Sequence, residues 1–255
     1  ADAGGRIVDP LGSGIDDLGA RRVRFVGAAD ARIREDYLRI LRFFRFHAWY
    51  GDESAGMDAG GLAACAANAA GTETLSRERV GHEMRRLLAA PDPAPAVGAM
   101  QATGVLARIL PGAEARALGP RVHLEPPYAP DWLRRLAALG PAEAEDALRL
   151  SRDEARRLSI LRDGLQGIAG PAEFAYRHGA PAARDMVLLR GAMLGTALPA
   201  GWEDAVARGA AAAFPVRAAD LMPAVTGAAL GQRLKEIEDR WIASGFELSR
   251  EQLLA

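Results

Sequence analysis

Two charged side chains near the start of the chain have the chemistry to recognise a nucleobase. An ionised Asp36 can only accept hydrogen bonds, and Arg39, three positions later, can only donate them. Cytosine and adenine present an amino donor beside a ring-nitrogen acceptor, whereas uracil and guanine present a carbonyl acceptor beside a ring N–H donor. An Asp–Arg pair therefore suits cytosine and adenine, because it opposes acceptor to acceptor and donor to donor with the other two bases.

The spacing of residues 32–49 predicts a single amphipathic helix that would carry this pair. Apolar side chains fall on one arc, and the charged arc opposite them comprises Arg32, Glu35, Asp36, Arg39 and Arg42. Phe43 and Phe46 lie on or beside the charged arc, which is unusual for a solvated face. The alternative is that Glu35 and Asp36 only form ion pairs with Arg39 on an exposed helix.

Composition limits the classes of protein that this chain could be. Its 255 residues are 49% hydrophobic and 25% charged, with a net charge of −1, which excludes wholesale disorder and predicts one or two domains. No apolar run is long enough to span a membrane. The single cysteine, Cys65, cannot form an internal disulfide and fits a reducing cytoplasm. Lys235 is the only lysine, which genome base composition explains better than its alternative, phosphate recognition by arginine.

The sequence predicts a short β segment followed by helices. Arg6, Ile7 and Val8 predict a strand that stops at Asp9, and we expect residues 1–26 to be the end of a sheet whose other strands lie upstream. From Asp30 onward, helical sequence is interrupted only by short Pro/Gly breaks. The four histidines are scattered without metal-ligand spacing, and no D-x-D carboxylate pair occurs. The residues therefore predict no metal site and no catalytic group in this chain.

Residues 35–46, EDYLRILRFFRF, closely resemble the EDxxRxxRxxRF segment of class II tRNA nucleotidyltransferases (the CCA-adding enzymes) and of the related bacterial poly(A) polymerases. Four further segments are similar to that family in the same order. They are the DP-x-G…DL loop at 9–18, which includes Leu11, the R-x-VG at 24–27, the S-x-ER…E…LL helix at 76–88, and the segment at 105–112.

The resemblance implies a mainly α fold, an elongated bundle of short helices with a short β remnant of a nucleotidyltransferase head domain at the N-terminus. It divides the chain into the head remnant (1–28), a neck with the nucleotide-template helix (29–112), a helical body (113–198) and a helical tail (199–255). Asp36 and Arg39 would read the incoming base, Glu35 would hold the neighbouring arginines, and Arg42 would approach the phosphates or support the pocket. Three further sets of residues would support nucleotide addition. Arg77, Glu78 and Arg79 would brace the template helix, and Asp9, Gly12, Asp16 and Asp17 would belong to a flexible loop. The third set would bind RNA and comprises Arg134, Arg135, Arg152, Arg156 and Arg157.

The same resemblance implies CTP and ATP as substrates, tRNA as the partner, and Mg²⁺ held by carboxylates of the upstream head. We therefore expect a cytoplasmic enzyme that adds CMP and then AMP to tRNA 3′ ends, and a chain that is inactive alone but supplies nucleotide selection and RNA binding. Two alternatives stay open. A poly(A) polymerase would use the same base-reading pair, and a helical RNA-binding module would never catalyse.

Overall fold

A computed structural model describes residues 4–5, 7–10, 12–141 and 143–255. Within these ranges the chain is built of helices joined by short turns. The α-helices are α1 Gly14–Gly19, α2 Ala29–Glu35, α3 Leu38–Tyr50, α4 Ala59–Ala67, α5 Arg77–Leu88, α6 Ala94–Ala102, α7 Val105–Ile109, α8 Leu118–His123, α9 Trp132–Leu139, α10 Ala144–Ala147, α11 Arg152–Gln166, α12 Pro171–His178, α13 Ala180–Leu194, α14 Trp202–Ala211, α15 Ala228–Ala243 and α16 Arg250–Leu254. Three 3-10 helices occupy Ala69–Thr74, Ala115–Ala117 and Ala218–Asp220.

The mainly helical class is confirmed, but the described residues contain no β-strand. Ile7 and Val8 are 60% and 69% exposed and belong to no sheet, so the strand expected there is absent. A strand needs a hydrogen-bonding neighbour, and the described part of the chain offers none. Arg6 and Leu11, which belong to the predicted strand and loop, lie outside the described residues.

The chain forms two compact units. The first comprises Ala1–Arg162 with Leu188–Thr196, and the second comprises Asp163–Val187 with Ala197–Ala255. These limits differ from the predicted boundaries at 28, 112 and 198. The predicted division into head remnant, neck, body and tail follows from the family resemblance and stays a prediction.

In the first unit, α3 packs against α5 and α6, and α5 also packs against α9. Leu41 and Phe44 of α3 and Met84 and Leu88 of α5 are at most 1% exposed. The helix α5 begins cleanly because the Ser76 hydroxyl accepts a hydrogen bond from the backbone N–H of Arg79. Burial of this apolar face leaves Arg39 and Arg42 of α3 toward the surface.

The segment predicted as one helix is broken into α2 and α3. Asp36 is extended, with φ −158° and ψ 107°, and its carboxylate accepts a hydrogen bond from the Leu38 N–H at 3.1 Å. The sequence pattern missed this break because Ile33 and Ile40, seven positions apart, are both fully buried, so the apolar periodicity of one helix face continues across it. Aspartate competes for backbone donors in this way, which explains the interruption.

The second unit has its own core. Helices α12 and α14 pack together, and Gly209 has no room for a side chain because a Cβ there would overlap the Ala172 backbone. Trp241 of α15 anchors a cluster in which Tyr176 and Phe246 contact its ring. None of the helices in the described residues is both long and apolar enough to cross a membrane.

Candidate functional site

A cleft of about 310 Å³ lies beside α3, and we call it the α3 cleft. Residues 23–26 form one side, and the other side carries phenylalanine rings and arginines without any acidic lining residue. The rings of Phe25 and Phe43 stack with centroids 5.1 Å apart. The lining arginines are Arg24, Arg32, Arg39 and Arg42. Guanidinium groups beside aromatic faces are suited to a ligand that combines phosphate with a planar ring.

Glu35 holds two of these arginines at the mouth of the cleft. Its carboxylate accepts from Arg32 at 3.0 Å and pairs with the Arg39 Nη2 at 2.9 Å. The hydrogen bond from Arg32, reinforced by the charges of both arginines, holds the pKa of Glu35 below its usual value. The Nε and Nη1 atoms of Arg39 have no hydrogen-bond partner among the described residues, so they remain available to a ligand.

Asp36 is directed to α5 and does not line the α3 cleft. Both of its carboxylate oxygens accept from Arg79 Nη2, at 2.9 and 3.1 Å. No side-chain hydrogen bond or ion pair joins Asp36 to Arg39 in the described part of the molecule, although the backbone N–H of Arg39 donates to the Asp36 carbonyl at 3.0 Å. The structure thus places the two base-reading candidates three residues apart at one helix junction, each fixed by a different partner.

Glu83 is a buried site residue to which sequence reasoning assigned no role. It is 4% exposed and lies on the apolar face of α5, where it accepts from Arg45 Nε at 2.5 Å and from Arg42 Nε at 3.4 Å. Arg45 in turn stacks on the Phe46 ring, 4.3 Å from its centroid. One carboxylate thus fixes two arginines of α3. The signal in the sequence was an acid at a position where the helical period of α5 calls for an apolar residue.

Of the three residues expected to brace the template helix, only Arg79 contacts it. Arg77 pairs with Asp146, and Glu78 pairs with Arg149 at 3.1 Å. The bracing interpretation is therefore wrong for Arg77 and Glu78. They are on the solvent side of the first turn of α5, whereas Glu83 occupies the buried side.

The segment at 9–18 is more structured than a loop. The Asp9 carboxylate accepts from the backbone N–H groups of Gly12 and Gly14, and α1, which includes Asp16, begins there. Asp17 on α1 accepts from Arg24 at 2.6 Å and thereby connects this segment to the α3 cleft. The expectation of a loop is wrong for residues 14–18, which belong to α1, and the movement of the 9–18 segment with a change of specificity between C and A stays a prediction.

The arginines predicted to contact RNA differ in exposure. Arg135 is 1% exposed, pairs with Glu125 at 2.6 Å and donates to the Leu88 carbonyl at 2.7 Å, so its assignment to RNA is wrong. The Arg134 side chain is only 11% exposed. Arg152, Arg156 and Arg157 of α11 are exposed, and Arg157 pairs with Asp131 at 2.7 Å.

The described residues contain no group of three or more His, Cys, Asp or Glu side chains that could hold a metal ion. The described residues therefore offer no ligand set that fits the Mg²⁺ implied by the resemblance.

Comparison with known protein families identifies one matching segment. Residues 58–116, which include α4 to α7, match the family described as "Probable RNA and SrmB- binding site of polymerase A".

Relatives along the whole chain then define the family. The chain is 36% identical over 179 residues to the Multifunctional CCA protein of Halorhodospira halophila, covering 69% of this chain and 41% of that protein. It is 30% identical over 270 residues to the mitochondrial CCA tRNA nucleotidyltransferase 1 of Danio rerio, covering 95% of this chain and 60% of that protein. The chain belongs to the class II CCA-adding enzyme and poly(A) polymerase family. It spans less than two thirds of the length of these two relatives.

A solved structure agrees with the fold. The CCA-adding enzyme of Bacillus stearothermophilus in complex with CTP superposes with a TM-score of 0.70 at 24% identity, over 97% of this chain and 67% of that one. The Thermotoga maritima CCA-adding enzyme complexed with tRNA gives a TM-score of 0.60 at 14% identity, over 95% of this chain and 65% of that one.

Proposed function

We propose that this chain selects CTP and ATP, and binds the RNA acceptor, in the addition of CMP and then AMP to the 3′ end of tRNA. The observation that carries the proposal is the α3 cleft, where Arg39 and Arg42 meet stacked phenylalanines next to Asp36. The relatives named as CCA-adding enzymes, and the related structures in complex with CTP and with tRNA, support the choice of substrates.

Base selection is assigned to the helix junction. A carboxylate has about four lone-pair sites, so Asp36 can accept from the amino group of cytosine or adenine while Arg79 still holds it. Arg39 retains Nε and Nη1 to donate to the neighbouring ring nitrogen, and Glu35 limits its movement. Uracil and guanine would place like groups against both side chains, which costs the full desolvation of each unmatched group.

The triphosphate is assigned to the other arginines of the cleft. Arg32, Arg24 and Arg42 face the same cleft as Arg39 and present guanidinium donors that match phosphate oxygens. The ring of Phe46, which is 39% exposed, offers an apolar face for the base or ribose. We propose that the carboxylates that bind Mg²⁺ lie outside this chain, because its described acids form no such cluster. The buried thiol of Cys65 is compatible with a cytoplasmic enzyme, and fractionation of the source cells would test that location.

Calorimetric titration of the chain with each of the four nucleoside triphosphates tests the proposal. CTP and ATP are expected to bind at least tenfold more tightly than UTP and GTP, which corresponds to about 1.4 kcal/mol. Asp36→Asn, which replaces an acceptor by a donor, and Arg39→Gln should reduce this preference. Arg208→Gln is the control, because Arg208 is exposed on α14 and lines neither the α3 cleft nor the junction. Equal binding of all four nucleotides would refute the assignment of base selection.

Poly(A) addition is a second candidate, favoured by the description of the family that matches residues 58–116. The same titration separates the candidates. Binding of both CTP and ATP supports CCA addition, ATP alone supports poly(A) addition, and RNA binding without nucleotide binding supports a non-catalytic module. Incubation of the chain with tRNA lacking its 3′ end, CTP, ATP and Mg²⁺ completes the test. We expect no incorporation, and CMP or AMP addition by the pure chain would refute the proposal that the metal ligands lie elsewhere.

A further inference from the structure

A second cleft, which we call the α3–α5 cleft, lies on the other side of Arg42. It has a volume of about 560 Å³. Its charged wall has four arginines against two glutamates, which leaves a surplus of two positive charges with histidine neutral. The charged lining residues are Arg42, Arg45, Arg79, Arg86, Glu78 and Glu83.

Several donors in this cleft have no partner in the described part of the chain. Glu83 contacts Arg42 and Arg45 only through their Nε atoms, so the four terminal guanidinium nitrogens make no hydrogen bond. The Arg86 side chain is exposed and forms no ion pair. Its backbone carbonyl accepts from Trp49 Nε1 at 2.7 Å, which fixes the residue at the edge of the cleft. Arranged donors around a positive surplus suit phosphate oxyanions.

The two clefts share a wall. Arg42 and Phe46 line both of them, and Phe46 is 39% exposed, so its ring is accessible for stacking. In nucleotide addition, the 3′ end of the acceptor must lie next to the incoming nucleotide. A cationic cleft that adjoins the nucleotide site, with an aromatic ring at the boundary, is the arrangement that a single-stranded RNA end requires.

We propose that the α3–α5 cleft binds the phosphodiester backbone at the 3′ end of the RNA acceptor, with Arg86 and the terminal nitrogens of Arg42 and Arg45 as phosphate donors. The assignment rests on the proposed function for the position of the incoming nucleotide. The other source of the same phosphate chemistry is the triphosphate of the nucleotide itself, and the experiment distinguishes the two.

The probes are a short 5′-fluorescein-labelled single-stranded RNA with a free 3′-hydroxyl, followed by anisotropy, and CTP, followed by calorimetry. Arg86→Gln changes a residue that lines the α3–α5 cleft and not the α3 cleft. We expect it to weaken RNA binding about tenfold, the lower end for one charge-assisted hydrogen bond, and to leave CTP binding unchanged. The slope of log affinity against log salt should fall by about one. Arg42→Gln should weaken both ligands, because Arg42 lines both clefts.

Arg208→Gln is the charge-matched control, and far-ultraviolet circular dichroism verifies that each variant is folded. RNA affinity of Arg86→Gln equal to that of the control would overturn the proposal. Weaker CTP binding with unchanged RNA binding would also overturn it and assign the cleft to the triphosphate. Failure of the proposed function would give a different pattern of nucleotide and RNA affinities. Asp36→Asn and Arg39→Gln would then leave CTP binding unchanged while Arg86→Gln still weakens RNA binding.

Discussion

Removal of the Glu83 carboxylate tests how the structure fixes the arginines of α3. Glu83 is 4% exposed, and its partner Arg45 has a side chain that is 10% exposed. In Glu83→Ala, Arg45 keeps its charge in a mostly buried position and loses its only acidic partner among the described residues. Arg42, whose side chain is 47% exposed, can turn to solvent and contributes little to the loss.

The expected destabilisation follows from this difference in burial. Breaking a buried ion pair by removing one partner typically costs about 3–5 kcal/mol, because an uncompensated charge stays buried. Arg45 borders the α3–α5 cleft and can gain some hydration there, so we expect about 3 kcal/mol for Glu83→Ala. Glu83→Gln keeps an acceptor oxygen without the charge and should cost roughly 1.5 kcal/mol, the lower value for a hydrogen bond to a charged group.

Urea denaturation followed by circular dichroism measures these differences. The matched control is Glu114→Ala, because Glu114 pairs with Arg116 where the two side chains are 64% and 76% exposed, and an exposed pair contributes little. A loss for Glu83→Ala no larger than that of the control would refute the reasoning. A further check replaces both charges, as Glu83→Leu with Arg45→Met, which should recover much of the stability because no charge is then left buried.

Three further predictions concern positions around the same core. Burial lowers the pKa of His47 from its ordinary value of 6.5, so the free energy of unfolding should be constant above that pH and should decrease as the pH falls below it. His47→Gln should remove this pH dependence from urea midpoints measured between pH 5 and 8. A Cβ at Gly71 would overlap the Tyr37 ring, so Gly71→Ala should cost about 1–3 kcal/mol in thermal unfolding, whereas Gly98→Ala, with open space, should not destabilise. Arg135→Met should cost about 3–5 kcal/mol in urea, because it leaves Glu125 buried without its closest cation; a loss below 1 kcal/mol would contradict that.

The helical class could be predicted from the sequence because it depends on a signal repeated along the whole chain. Apolar residues recur at helical spacing, and short Pro/Gly breaks separate the segments. The break at Asp36 could not be predicted in the same way. Its cause is one side chain that accepts a hydrogen bond from a backbone N–H, while Ile33 and Ile40 keep the apolar period intact across the junction.

The burial of charged residues was the least predictable feature of the site. Arg134 and Arg135 are adjacent and both pair with Glu125, but the Arg134 side chain is 11% exposed, whereas that of Arg135 is 1% exposed and donates to the Leu88 carbonyl at the end of α5. That difference depends on how α9 packs against α5, which is a tertiary contact. The role of Glu83 could have been predicted, because an acid on an apolar helical face needs a cationic partner when it is buried, and the arginines of α3 provide that partner.

The contact between Asp36 and Arg79 bears directly on how the base-reading pair could work. Their side chains are 30% and 48% exposed, and exposed pairs contribute at most about 1 kcal/mol. Arg79 can therefore hold the carboxylate at the junction without preventing a stronger partner from taking it. A base whose amino group reaches Asp36 at the helix junction beside the α3 cleft gains a charge-assisted hydrogen bond of about 1.5–3 kcal/mol, which exceeds the value of the pair it disturbs. The separation of Asp36 from Arg39 by different partners is thus compatible with joint recognition of one base, because both restraints are weaker than the contacts that would replace them.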